Sequence, residues 1–240
     1  MYHPRIFLAE LDMDIINVDN LEFNGVIRNE FGRMYHEKLK TFSHNFSFGR
    51  SFLLSTEIAQ GGWAVSWIVG GELEPLRGTL SKNGQEYKAS ARKADSWLVR
   101  KSEIKTFWMK HQTVQMQILH GLQKNHQLYH RSEDELKQQF QLTDERYQRP
   151  LHQLSHEAWR ASCAIGLANG KKIFCFPYVE SSTIEEYYNL WFKDIVNLLK
   201  EAGCMVLIPS LITERTAGLC DEIVIVNDSL QNNDVNAELA

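Results

Sequence analysis

Residues 46–84 read FSFGRSFLLSTEIAQGGWAVSWIVGGELEPLRGTLSKNG. Phe46 to Phe48 and Phe52 to Ser55 are short apolar runs of the kind that form strands, and Thr56 to Gln60 follows them. The adjacent glycines Gly61 and Gly62 permit a tight strand-to-helix turn. Trp63 and Trp67, one helical turn apart, then share one face of an apolar helix. Gly71, Leu73, Pro75 and Gly78 follow, ahead of Asn83 and Gly84.

Outward from this segment the texture of the chain changes twice. From Met1 to about Gly84 short apolar runs, among them Ile15 to Val18, alternate with turns and predict strands. From about Ser102 to Arg149 the chain is rich in Gln, His and Lys and nearly free of Gly and Pro, which predicts helices. After Pro150 the pattern predicts a helix over Ser155 to Leu167, a strand Ile173 to Phe176, a helix Ile184 to Ala202, and strands Cys204 to Ile208 and Ile223 to Val226. Strands that alternate with helices imply a parallel sheet. The expected division is therefore a β subdomain carrying the 56–63 loop (1–100), a helical subdomain (101–160), an α/β core (161–228) and a flexible Asn- and Asp-rich tail (229–240).

Local signals sharpen the helices. Ser132 with Glu135 forms a capping box that starts a helix at Glu133 and carries it to about Phe140. Ser182 with Glu185 has the same spacing ahead of Ile184, Tyr187, Tyr188, Trp191, Ile195, Leu198 and Leu199, which fall on one helical face. Gly203 stands where a left-handed C-terminal cap is wanted.

Composition narrows the function. The 240 residues carry 26 Lys plus Arg against 30 Asp plus Glu, a net charge of −4, which removes the basic footprint of a nucleic-acid binder. Apolar stretches such as Cys204 to Leu207 fall far short of the roughly 20 residues that span a bilayer, and the N-terminus lacks a secretory pattern. A cytoplasmic location follows as the expectation, peripheral to a membrane only through another subunit. Cys163, Cys175, Cys204 and Cys220 stand isolated in apolar contexts and read as reduced core residues. His120, His126 and His130 lack the glutamate of a metalloprotease helix and read as a solvated face, so no metal site is expected. The Gln-rich run from Gln112 to Gln141 keeps no sustained heptad.

From Phe46 to Asp228 the order and spacing of three segments resemble the nucleotide-binding subunit of ABC transporters. The first is the 46–84 stretch, whose Thr56 to Trp63 occupies the place of the phosphate loop. The second, QLSHEAWRASCAIGLANGKKIFCF (153–176), is similar to the signature segment, its helix and the buried strand after it. The third, IPSLITERTAGLCDEIVIV (208–226), is similar to the switch-histidine loop, the Leu-x-Asp turn and the last strand. The resemblance implies an α/β fold of the P-loop NTPase type: a mostly parallel sheet, an N-terminal antiparallel β subdomain and an inserted helical subdomain.

The same resemblance shows what is absent. A working phosphate loop combines backbone N–H groups at a helix N-terminus with a Lys on the phosphates and a hydroxyl on magnesium. Here Gly62 holds the Lys place and Trp63 the hydroxyl place. Trp63 and Trp67 either fill the nucleotide cavity or belong to the core. After IFCF, Pro177 and Tyr178 stand where the family has its magnesium Asp and its water-activating Glu, and Leu211 stands for the switch histidine. Glu180 and Glu185 read as turn and helix N-terminal acids rather than displaced catalysts. In the signature segment His156 and Glu157 replace glycines, and Ser155 remains as an N-cap or phosphate contact. Arg100 is nearest to the glutamine that links catalysis to the membrane subunit.

These readings predict a pseudo-ATPase with no catalytic residues, no metal and doubtful ATP binding at a degenerate site of Gly61, Gly62, Trp63, Ser155, Pro177, Tyr178 and Leu211. The resemblance implies as partners an ABC ATPase paralogue or a second copy as a dimer, and a transmembrane transporter subunit. Two alternatives stay open: a module that senses nucleotide without hydrolysing it, through Ser155, Gly61 and an aromatic, and a soluble regulatory scaffold.

Overall fold

The computed structural model describes residues 14–28, 33–99, 112–125, 131–154 and 157–227. Two sheets organise it. The first is antiparallel, with β1 (Ile15–Arg28), β2 (Met34–Ser47), β4 (Arg77–Lys82) and β5 (Gln85–Glu86) in the order β2-β1-β4-β5. The second is wholly parallel, with β3 (Ser51–Ser55), β6 (Ser96–Leu98), β7 (Ile173–Cys175), β8 (Met205–Ser210) and β9 (Glu222–Ile225) in the order β6-β7-β8-β3-β9. This is the fold class the sequence leads one to expect. A short helix, α2 (Ala89–Asp95), leads into β6.

Strict alternation along the parallel strands divides the core in two. Phe52 and Leu54, Ile173 and Cys175, and Met205 and Leu207 face the antiparallel sheet across α1 (Gly62–Val69). Leu53, Phe174, Val206 and Ile208 face the opposite way, into the helical layer. That layer contains α6 (Ala158–Ala168), whose eleven residues are all buried. It also holds α3 (Val114–Lys124), α4 (Glu133–Gln139) and α5 (Asp144–Tyr147) from the Gln-rich region, and α7 (Ser181–Tyr187) and α8 (Lys193–Glu201) further on. Asp221 ties the start of β9 to that of β3, accepting from the Ser51 N–H (2.9 Å), the Ser51 hydroxyl (3.1 Å) and the Lys200 ammonium (2.6 Å). Burial pushes its carboxyl up, but Lys200 and Ser51 outweigh it and hold the group below its ordinary range.

The long β1–β2 hairpin extends well beyond the short runs read as strands. In β1 a bulge at Asn20, with φ of 52°, switches the alternation, so that Ile16 and Val18 before it and Leu21 and Phe23 after it all bury. Without that extra residue Leu21 would face solvent.

The capping box of Ser132 and Glu135 forms with both hydrogen bonds, and Gly203 adopts its left-handed turn at φ of 75°. The Ser182–Glu185 box does not form. The Val179 N–H donates to Pro209 O (2.9 Å) and fixes the chain's entry, so α7 begins at Ser181 with Glu180 as its N-cap and Ser182 already inside the helix. Nor is the segment after it one unbroken α-helix: a π-turn, Tyr188–Phe192, separates α7 from α8. It turns Trp191 and Phe192 into the aromatic cluster of Trp159 and Phe176, with centroid separations of 5.5–6.0 Å. The helix predicted from Ser155 starts at Ala158 in the described residues, and β8 runs on to Ser210 rather than stopping at Ile208.

Gly78, with φ of 93°, fits against the bulge, where an added Cβ would lie 2.5 Å from the carbonyl oxygens of Asp19 and Asn20. Gly78→Ala is therefore expected to destabilise the chain by about 1–3 kcal/mol, read as a lower urea midpoint at unchanged slope.

Candidate functional site

Parallel α/β sheets place ligands outside the carboxyl ends of their strands. At that edge lie the loop after β3, Pro177 and Tyr178 after β7, and Leu211 after β8. The fold thus gathers six of the seven residues singled out by sequence along one edge. Ser155, the seventh, lies outside the described residues, as do His156, Arg100, His126, His130 and the 229–240 tail. His120 is exposed on α3.

The 56–62 loop is shaped by its backbone. The Thr56 N–H donates to Ser210 O (3.0 Å) and anchors the loop to β8. Ala59 and Gly61 both take left-handed conformations, with φ of 68° and 93°. Gly61 is the N-cap of α1 and has no side chain to satisfy the helix's first amides. Gly62 is closed in: an added Cβ would lie 2.2 Å from Thr56 Cγ2.

The acceptor for those amides comes from another sheet. Glu37 on β2 is 1% exposed, and its two oxygens are shared out over the loop. Oε1 accepts from the Ala59 N–H (2.9 Å) and Oε2 from the Gly61 N–H (2.8 Å). Burial raises the Glu37 carboxyl above its ordinary value, and the N–H groups of Gly61, Ala59 and Ala64 pull it back without cancelling the rise. The contact is reinforced by the main chain, since the Lys38 N–H donates to Ala59 O (3.3 Å). Asn227, just past β9, completes the clamp: its side-chain amide donates to Lys38 O (2.9 Å) and Gln60 O (2.6 Å), while its Oδ1 accepts from the Lys40 N–H (3.0 Å).

Trp63 is 3% exposed and packs between Tyr35, at 5.7 Å, and Trp67, at 5.5 Å and edge-on. It belongs to the core between the two sheets. Its indole N–H and the Ser210 hydroxyl are both buried and find no hydrogen-bond partner among the described residues. Tyr178 meets the main chain of Ile58, and burial, then Glu180, Glu57 and Glu37, push its hydroxyl pKa up. Leu211 is half-buried and its carbonyl accepts from the Thr216 hydroxyl (3.0 Å) at the start of α9 (Glu214–Ala217). Beside these side chains, Ile58 and Ile212 are 40% and 49% exposed, so the edge presents apolar groups. In the signature-like segment Glu157 pairs with Arg146 at 2.8 Å. Among the described residues no three His, Cys, Asp or Glu side chains converge as metal ligands.

Sequence reading missed Glu37 and Asn227. The first left a signal. Tyr35, Glu37 and Leu39 fall on the inward phase of β2, and a carboxylate on an inward phase demands a donor. Asn227 left none, because its role depends on where β9 ends relative to β2.

No protein-family model matches the sequence, and no curated protein matches it. Solved structures do match. The chain is similar to cbiO1 from Clostridium perfringens, part of the ABC transporter complex cbiONQ, with 17% identity over 88% of this chain and 84% of that one, at a TM-score of 0.59. It is also similar to an ATP-binding cassette of an ABC transporter in its ADP conformation, with 13% identity over 89% and 87% of the two chains and a TM-score of 0.61. A third is a bacterial Atm1-family ABC exporter with ATP bound, of which the chain covers 37%, at 15% identity and a TM-score of 0.58. No helix among the described residues is long and apolar enough to cross a membrane. The chain has the α/β fold of ABC transporter ATP-binding subunits.

Because Glu37 holds its proton more tightly when folded than when unfolded, it makes stability fall as pH rises from its ordinary value of 4.5 through the raised native one. Glu37→Gln is expected to flatten that decline in urea midpoints measured across the mildly acidic range.

Proposed function

We propose that this chain is a non-hydrolysing member of the ABC ATPase class that serves as an assembling subunit of a transporter complex. It pairs with an active ATPase paralogue or with a second copy of itself and docks on transmembrane subunits. One observation carries the reading: the Ala59 and Gly61 amides of the 56–62 loop are engaged by the Glu37 carboxylate, and among the described residues no Lys or Arg forms an ion pair with it. A nucleotide's phosphates and their magnesium do not fit such a site. They would meet a carboxylate where they need positive charge, Gly62 where they need an ammonium and Trp63 where the metal needs a hydroxyl.

The neighbouring positions point the same way. Pro177, Tyr178 and Leu211 offer neither a carboxylate for magnesium and water nor an imidazole for the terminal phosphate. Separate contributions to phosphoryl transfer are missing together, and no single nearby residue substitutes for all of them. The α/β fold of such subunits is kept. Apolar Ile58 and Ile212 at the strand edge suit a dry protein contact better than a polyphosphate.

Three experiments bear on this. The purified chain is expected to show only background ATP hydrolysis; magnesium-dependent turnover lost on substituting Gly62 or Trp63 would overturn the reading. Gly62→Lys alone is expected to leave activity at background, because its side chain must start inside the space of Thr56. Affinity purification from solubilised membranes of the native cells is expected to recover a multispan membrane protein, and recovery from the soluble fraction alone would favour a scaffold.

A further inference from the structure

We propose that the 56–62 loop is a self-occupied anion site whose resident ligand is the Glu37 carboxylate, and that phosphate is excluded by this occupancy and not only by the missing lysine. The inference rests on the reading of the loop as non-hydrolytic and deepens it.

The loop has the geometry of an anion receptor. Left-handed residues at Ala59 and Gly61 turn main-chain N–H groups inward, and the start of α1 adds its partial positive charge. Glu37 uses this receptor as a bound anion would, with one oxygen on each of two amides at 2.9 and 2.8 Å. No lysine or arginine among the described residues forms an ion pair with it, so main-chain donors offset its burial only in part. A carboxylate in this position draws on the same donors that a phosphoryl oxygen requires.

Two further features argue for a ligand position and not merely a tie between β2 and the loop. The Trp63 indole N–H, in the first turn of α1, and the hydroxyl of Ser210, whose carbonyl accepts from the Thr56 N–H, are buried and lack a partner among the described residues. Four acceptor-bearing oxygens of a phosphate would serve more donors than the two oxygens of a carboxylate. The loop's shape is also held from outside by Asn227 and by Lys38 N–H, so it does not rest on Glu37 alone. Removing the carboxylate should therefore leave a formed but vacant receptor.

The test is a gain of binding. Wild type, Glu37→Ala and Glu37→Gln are titrated by calorimetry with inorganic phosphate, pyrophosphate and ATP. Phosphate is expected to bind Glu37→Ala at least tenfold more tightly than wild type, and to raise the melting temperature of that variant alone. Wild type binding phosphate as well as Glu37→Ala does, or a folded Glu37→Ala with no gain, overturns the proposal. Should Glu37→Ala not fold, wild type decides by NMR. The Glu37 carboxyl carbon and the amide protons of Ala59 and Gly61 are expected to titrate with one shared midpoint, and amides indifferent to that titration refute the occupancy. Phosphate binding without hydrolysis leaves the assembly role untouched, and failure to recover a membrane partner leaves this result untouched.

Discussion

A helix that is apolar around its whole circumference must be covered on every side, and α1 is such a helix: seven of its eight residues, Gly62 to Ser66 with Ile68 and Val69, are buried. The parallel sheet covers it from below through Phe52, Leu54, Met205 and Leu207. The antiparallel sheet covers it from above through Ile16, Leu21, Leu39 and Phe46. Laying one sheet over the other side of α1 brings β2 across the helix's N-terminus. There the first amides are cut off from water and need an acceptor. Gly61 supplies none, and Glu37 does.

The site's chemistry follows from this packing. In a phosphate loop, main-chain amides and a lysine act together on a polyphosphate. Here the amides and the turn are present while the ammonium is missing, and the remaining electropositive pocket is neutralised from within. Ala59 holds a left-handed conformation that disfavours a side-chain-bearing residue by about 1–2 kcal/mol, and its N–H bond to Glu37 offsets part of that cost. The charged groups expected along the rest of the strand edge give way to Tyr178, Leu211, Ile58 and Ile212. On the function proposed above, a surface of this kind excludes polyphosphate by charge and by desolvation.

Some of this was legible in the sequence. The apolar runs of β3, β7 and β8, the glycine turn before α1, the Ser132 box and the Gly203 cap are local patterns, decided within a few residues. The Ser182 box shows the limit of such reading: its spacing was right, but the Val179 bond to Pro209 set the helix start two residues earlier, at Ser181. The π-turn at Tyr188–Phe192 was equally invisible, because it serves an aromatic cluster drawn from α6 and from the segment after β7. The β1–β2 hairpin was underread because its bulge at Asn20 breaks the alternation that marks a strand.

The sequence by itself determined the fold class and the order of elements, and it set Gly62, Trp63, Pro177, Tyr178 and Leu211 at the places where the resemblance expects phosphate chemistry, since each depends on residue type and local spacing. Only the tertiary structure decided what lies on the loop. Glu37 reaches Gly61 across 24 residues and Asn227 reaches Lys38 across 189. No local pattern encodes those distances; they are fixed by the requirement that two sheets close over one apolar helix, which puts a buried carboxylate and a row of buried amides within reach of each other.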